Sequence, residues 1–261
     1  MAAGIDRKTG AAGALALAAF VCASPAHAAD EEIQVYMDEM DKPGEPGLDI
    51  HVNDVLAGDG TPDYNGAESP LHRWRITPEF SLGLTPTLEL GLYLPLATIA
   101  ADGKLRAEGA KARLKYIAPH EADGFFWGAN LEVGRVSHAL DVNPWNGEFK
   151  LIAGVRCGRL TAAVNANFDF AIAGPAKGPV ELQIASKLAY ALPPGFSLGI
   201  ESYNGAGPLR RLGHFGSSDQ ATYLAVDTRL GKVELNAGIG KGYGSSGDAT
   251  VIKAVIGVPI S

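Results

Sequence analysis

The stretch Leu160–Ile172 reads LTAAVNANFDFAI, and its alternate letters separate into two rows. One row is apolar throughout and contains Val164 and Phe168, whereas the other row is mostly polar and contains Asn165 and Asp169. Successive side chains of a β-strand point to opposite faces of the strand. The stretch therefore predicts a strand with one apolar face and one polar face.

The same alternation recurs along nearly the whole chain, in about twelve segments that each approach the ten residues needed by a tilted membrane strand. The 33 Gly and 16 Pro suit many short strands joined by tight turns. We therefore predict an all-β fold, an antiparallel up-and-down transmembrane β-barrel of about 12 strands with a short N-terminal periplasmic extension. Its apolar rows would face lipid and its polar rows would face the lumen.

The connections between the predicted strands alternate between long and short ones, as in outer-membrane barrels whose long loops lie outside the cell. The segment Asn204–Gln220 is one of the long connections, and Thr85–Thr87 is one of the tight turns. Two connections depart from this rule. Ala101–Lys104 is short for an outside loop, and Ala118–Gly124 is long for a periplasmic turn.

A soluble β-sandwich or lipocalin-like barrel is the rival interpretation, because alternation alone does not say which face is buried. Aromatic residues near the strand ends, such as Trp74 and Trp127, favour a membrane barrel with interfacial girdles. Most polar rows also carry few large apolar residues, although Phe126, Ile152 and Val255 are exceptions. The sequence therefore favours the membrane barrel.

The N-terminus has the pattern of a secretory signal. Arg7 and Lys8 precede the apolar stretch Ala11–Val21, and Ala26-His27-Ala28 is an A-x-A cleavage site. Cleavage after Ala28 would remove Cys22, which leaves one cysteine and excludes a disulfide within the mature chain.

The predicted division of the chain has three parts. Residues 1–28 are a cleaved signal peptide, residues 29–46 are an acidic N-terminal extension or a plug that enters the lumen, and residues 47–261 form the β-barrel. Ile33–Met37 alternates like a strand, but a thirteenth strand would break the even closure of single-chain bacterial barrels. Whether the segment is an extension or a plug stays open at this stage.

The net charge of −7 argues against a nucleic-acid-binding protein, which would need a basic face. The predicted location is the cell outer membrane of a Gram-negative bacterium. The predicted partners are outer-membrane lipid and an unidentified small solute, with no nucleic acid and no cofactor. The oligomeric state is not determined by the sequence.

Five stretches carry a resemblance to a known family. They are Ile33–Asn53 (IQVYMDEMDKPGEPGLDIHVN), Trp74–Leu96 (WRITPEFSLGLTPTLELGLYLPL), Ala110–Ile117 (AKARLKYI), Phe125–Arg135 and Gly238–Pro259. Together they resemble the bacterial outer-membrane barrels grouped as the phenol-degradation MetA-pathway, transporter-like family. The resemblance covers most of the mature chain and rests on strand-and-turn texture. It implies the barrel fold and a transport role, and it assigns no functional residues.

No catalytic or metal-site motif stands out. The histidines have neither H-x-x-x-H nor Cys/His spacing, so they predict no metal site. Ser137 and His138 are adjacent, and adjacent residues of an extended strand point to opposite faces, so they cannot both serve one substrate there. The glycines of Gly238–Gly242 follow a strand without opening a helix, which argues against a phosphate-binding loop. We predict a protein that is not an enzyme.

Charged residues in the polar rows form the candidate site. Lys111, Arg113 and Lys115 are spaced by two and share one face, which makes a basic ladder on a single strand. Unpaired charges in a narrow interior are costly, so they must either pair and seal the lumen or line a water-filled channel. The predicted lumen-lining residues are Arg75, Glu79, Glu89, Lys111, Arg113, Lys115, Glu132, Glu148, Asp169, Lys187 and Asp227.

Three functional hypotheses follow. The first is a channel or transporter for small solutes, which a polar path with opposed acidic and basic walls would favour. The second is a structural or interaction barrel with a sealed lumen, which cross-lumen ion pairs and an inserted N-terminal segment would favour. The third is a lipid-modifying outer-membrane enzyme, which would need a nucleophile, a base and an orienting group held together.

Overall fold

The computed structural model describes residues 32–213 and 218–260. The predicted signal peptide, residues 1–28, lies outside the described residues. Within the described part, no helix is long and apolar enough to span a membrane.

Twelve strands make up the described fold. The first six are β1 (Pro46–Gly58), β2 (Trp74–Thr85), β3 (Leu88–Ile99), β4 (Leu105–Ile117), β5 (Phe125–Val136) and β6 (Trp145–Cys157). The last six are β7 (Leu160–Ala173), β8 (Glu181–Leu192), β9 (Phe196–Pro208), β10 (Asp219–Leu230), β11 (Val233–Gly244) and β12 (Asp248–Gly257).

The strands form one closed antiparallel barrel in which each strand pairs with its neighbours in sequence. Closure is completed by β1 and β12, which pair antiparallel from Asp49 with Gly257 to Gly58 with Asp248. A closed barrel has no unpaired edge, so all strands can satisfy their backbone groups in lipid. The predicted fold, an up-and-down barrel of twelve strands, is confirmed.

The two faces of the barrel differ as a membrane barrel requires. Outward side chains are apolar and exposed, as at Ile200 and Leu224, which are 55% and 62% exposed. Inward side chains are often polar and buried, as at Asn130, Asn165 and Glu201, which are at most 1% exposed. This is the reverse of a water-soluble barrel, and it presents a lipid-compatible surface.

The connections divide between the two ends of the barrel. One end, called the loop end here, carries the described connecting residues 59–73, 100–104, 137–144, 174–180, 209–213, 218 and 245–247. The other, the turn end, carries residues 86–87, 118–124, 158–159, 193–195 and 231–232. The connection between β11 and β12 is short for the loop end, because these strands leave only residues 245–247 between them.

The alternation of β3 changes phase near its loop end. The pairing of β3 with β4 shifts register between Tyr93 and Leu96, so Leu96 is buried although Leu94 is exposed. Pro95 lies at the shift, where a residue without a backbone N–H interrupts the ladder. The wall is therefore irregular between β3 and β4.

Candidate functional site: the occupied lumen

Residues 32–45, called the N-terminal segment here, run from the barrel interior, where Ile33, Val35 and Tyr36 are buried, to the exposed residues 42–45 at the turn end. The segment joins β1 at the turn end, where Gly44 donates a hydrogen bond to the Gly83 carbonyl. Farther in, the Tyr36 amide donates to Asn165 Oδ1 at 2.6 Å, and Asn165 Nδ2 donates to the Tyr36 carbonyl at 2.9 Å. Wall side chains thus supply the partners that a sheet would give to an extended chain.

Apolar residues hold the inner part of the segment. Ile33, Val35 and Tyr36 are buried, at 7%, 4% and 4% exposure. They belong to a cluster with inward residues of several strands. These residues are Val55, Ile117, Phe126, Ile152, Ala163, Ala185, Tyr203, Tyr223 and Val251.

Acidic residues fix the outer part of the segment. Arg156 donates from Nε to Asp38 Oδ1 and Oδ2, at 3.0 Å each, and from Nη2 to Glu39 Oε1 at 2.7 Å. Lys115 Nζ donates to the Glu39 carbonyl at 2.7 Å, and the Asp41 amide donates to Glu89 Oε2 at 2.6 Å. The acidic composition of the segment is therefore matched to basic side chains of the wall.

Asp38 lies outside the spanning strands, near the turn end. Burial alone would raise the pKa of the Asp38 carboxyl, but the hydrogen bonds and charge of Arg156 outweigh burial and hold this pKa below its usual range. The contact between Asp38 and Arg156 is therefore intact at neutral pH.

All three residues of the basic ladder on β4 bind polar partners. Lys111 Nζ lies 3.0 Å from Glu132 Oε1 on β5. Arg113 binds Glu79 on β2 and Glu89 on β3, the latter at 2.8 Å. The third member, Lys115, is bound to the N-terminal segment. The ladder therefore joins three neighbouring strands to the segment.

A second charged group lies on the opposite part of the wall. Lys187 on β8 contacts Glu201 on β9 at 3.2 Å and Asp227 on β10 at 2.7 Å. Lys253 on β12 also binds Glu201, and it donates to the Ile33 carbonyl of the segment at 2.9 Å. Both charged groups thus reach the N-terminal segment.

The eleven residues predicted from the sequence lie in the inward rows of their strands. Eight of these residues belong to ion pairs, since Glu148 also pairs with Lys150 of its own strand at 3.0 Å. A ninth, Lys115, donates to the Glu39 carbonyl instead. Arg75 is buried near the loop end of β2, and Asp169 lies opposite Glu148 in the pairing of β6 with β7. The sequence-based set did not include Glu201, Lys253, His51 or Asn165, although strand parity places each of them on an inward row.

The pair Ser137 and His138 does not form a catalytic arrangement. Ser137 Oγ accepts a hydrogen bond from the Ala139 amide, which is typical of a local turn. The His138 ring packs against Tyr64, with ring centroids 5.2 Å apart. The two side chains thus have different neighbours in the loop after β5.

Comparison with solved structures supports the barrel fold. No family model matches the chain, and no curated protein matches it. The solved structure named KdgM porin matches with a TM-score of 0.55 at 11% identity, over 82% of this chain and 99% of that chain. The COG4313 outer membrane channel from Pseudomonas putida F1 matches with a TM-score of 0.58 at 11% identity, over 87% and 99%. At this identity the likeness shows the barrel fold.

Proposed function

We propose that this chain is an outer-membrane channel for small water-soluble solutes, and that the described structure is its closed state. In this proposal the N-terminal segment is the closing element. The observation that carries the proposal is the segment itself, which enters a strongly polar lumen from the turn end and is held there by side chains of the wall.

The polar interior supports a transport role. Burying charges is costly unless they are paired, and an apolar core of equal volume would often stabilise a barrel at least as well. Two separate charged groups line this lumen, one around Arg113 and one around Glu201. Displacement of the segment would expose these groups to water. The lumen would then be a water-filled channel lined by positive and negative side chains.

The fold comparisons support the same proposal. Two of the solved structures with a similar barrel are named a porin and an outer membrane channel. We extend that role, and the outer-membrane location, to this chain by analogy of fold and of its polar lumen. Membership of the phenol-degradation MetA-pathway, transporter-like family is part of the proposal and rests on the resemblance in sequence texture.

A sealed structural or interaction barrel is the second candidate. The ion pair between Lys111 and Glu132, together with the inserted segment, gives this candidate its support. In that case the lumen would stay closed permanently, and the loops would be the functional surface. The two candidates differ in what happens when the segment is removed.

Liposome swelling separates the two candidates. The full chain and a variant lacking residues 32–41 are reconstituted, and swelling is measured with sugars of increasing size. We expect the variant to admit small sugars rapidly and larger ones poorly, because the vacated lumen is polar and narrow. A gel-shift assay on heating verifies that the variant remains a folded barrel. A folded variant that excludes even the smallest sugar would favour the sealed barrel.

A further inference from the structure

Three ligand-type side chains converge where the N-terminal segment meets the wall. They are Glu32 of the segment, His51 of β1 and Glu79 of β2, and one ligand atom from each lies within 4.8 Å of the other two. His51 is 1% exposed and Glu79 is 3% exposed. The sequence gives no hint of this group, because its members are far apart along the chain and lack motif spacing.

The spacing of the ligand atoms fits a small ion. His51 Nε2 and Glu79 Oε2 are 3.0 Å apart. Around a tetrahedral ion with bonds near 2.0–2.2 Å, neighbouring ligand atoms are separated by roughly 3.3 Å. A small adjustment of Glu32 toward this pair would complete a set of one imidazole and two carboxylates. Water could take the fourth position, as it does at many zinc sites.

Outer hydrogen bonds orient both carboxylates. Arg113 binds Glu79 through Oε1, which leaves Oε2 on the side of His51. The Tyr93 hydroxyl donates to Glu32 Oε2 at 3.0 Å. Among the described residues, Glu32 Oε1 is buried and has no hydrogen-bond partner. Metal-ligating carboxylates are commonly held by such outer partners, and buried polar atoms without partners are otherwise unfavourable.

The local charge also favours a cation. Glu79 and Glu89 share one guanidinium, that of Arg113, and Glu32 adds a third carboxylate beside Glu79. The nearby Lys150 is paired with Glu148. A divalent cation bound between Glu32 and Glu79 would compensate the negative charge that the single guanidinium leaves.

We propose that Glu32, His51 and Glu79 bind a divalent transition-metal ion of the Zn²⁺ type, and that this ion fastens the N-terminal segment to the barrel wall. The imidazole ligand favours Zn²⁺ over Mg²⁺ and Ca²⁺, which prefer oxygen ligands alone. The proposed binding site depends only on the geometry of these three side chains. Its consequence, a metal-dependent closure, rests on the proposed channel function.

Calorimetric titration tests the binding. The full chain in detergent is stripped with EDTA and titrated with Zn²⁺, and Mg²⁺ serves as the comparison ion. We expect one Zn²⁺ per chain and no comparable Mg²⁺ binding. Glu32→Gln and His51→Gln should each lower Zn²⁺ affinity by more than about 100-fold, since loss of an outer partner alone lowers affinity roughly 10–100-fold. His138→Gln, which changes a histidine of a loop, should leave the affinity unchanged.

Each variant is refolded with and without Zn²⁺, so that the ion can reach a buried site during folding. A gel-shift assay on heating then shows whether the variant is folded. Absence of Zn²⁺ binding in the wild type under both refolding conditions would overturn the proposal. Equal affinity of the wild type and Glu32→Gln would also overturn it, because the segment would then contribute no ligand.

Channel recordings test the consequence separately. Zn²⁺ should lower the open fraction of the wild type and leave that of Glu32→Gln unchanged. Stoichiometric binding without any effect on the currents would overturn the fastening role. A barrel that never conducts, even without residues 32–41, would refute the channel function, while the titration would still decide the metal site.

Discussion

Replacing Asn165 by alanine is expected to loosen the N-terminal segment without altering the barrel. Asn165 is fully buried on the inward row of β7, and it makes two hydrogen bonds with the backbone of Tyr36, at 2.6 and 2.9 Å. Asn165→Ala removes both partners at once. In the bound segment, the Tyr36 amide and carbonyl would then lack the partners that Asn165 supplies.

The expected effect follows from these two bonds. A buried polar group that loses its partner costs about 1–3 kcal/mol. Two such groups in the bound state give about 2–4 kcal/mol, once some of the cost is relieved by local adjustment. Since 1.4 kcal/mol corresponds to a tenfold change, the fraction of released segment should rise by roughly 30- to 700-fold.

Hydrogen exchange of the Tyr36 amide measures this release. The amide exchanges when the segment leaves its site, so its protection should fall by the same factor. Asn167→Ala is the matched control. Asn167 lies two residues along the same row and donates to Gln183 at 3.2 Å, a bond that the segment does not share. Unchanged protection in Asn165→Ala, or an equal loss in Asn167→Ala, would refute the reasoning.

Three further predictions concern the barrel and its end. Val164→Arg should impair membrane insertion by about 2–4 kcal/mol if the residue lies near the midplane, because Val164 is exposed on the lipid face. Equal insertion of Val164→Arg and Val164→Leu in lipid-refolding titrations would contradict this prediction. On a Cys157→Ala background, an impermeant reagent on intact cells should label Lys177→Cys at the loop end and not Thr87→Cys at the turn end. The reverse labelling would contradict the topology. The pKa of Asp38 is lowered in the folded state, so its contact with Arg156 stabilises the bound segment at pH values above the ordinary carboxyl pKa and is lost as pH falls through the lowered pKa. The segment should therefore stay bound between pH 7 and pH 5. Release of the segment in that range, abolished by Asp38→Asn, would contradict this pH dependence.

The barrel could be predicted from the sequence because strand parity is local. The rows that contain Val164 and Asn165 differ in polarity within a dozen residues, and one period decides which side chain faces lipid. The same parity gave the inward position of Lys111 and Glu132. Their partnership depended on the register between neighbouring strands, which the sequence constrains only loosely.

The place of the N-terminal segment could not be predicted with the same certainty. Its alternation resembles a strand, yet its partners are single side chains on distant strands, such as Asn165 on β7. One signal was present in the sequence. Phe126 and Ile152 are apolar residues on otherwise polar rows, and the structure packs both of them in the cluster that includes Ile33 of the segment. These two apolar exceptions on the lumen face mark where the inserted segment lies, whereas the third, Val255, is outside that cluster.

The group formed by Glu32, His51 and Glu79 could not be predicted from the sequence. His51 and Glu79 come together because β1 pairs with β2, but Glu32 reaches them only after the segment folds back into the lumen. No fixed spacing along the chain encodes that return. A contact of this kind, between an inserted segment and distant strands, is found only in the three-dimensional structure.

Single-channel recording in planar bilayers tests the central claim most directly. Currents are compared between the wild type and the variant lacking residues 32–41, both shown to be folded by the gel shift on heating. We predict rare, brief openings for the wild type and a long-lived open current for the variant, because removal of the segment vacates a lumen lined by charges. Folded proteins that are both silent, or that give the same steady current, would contradict the account.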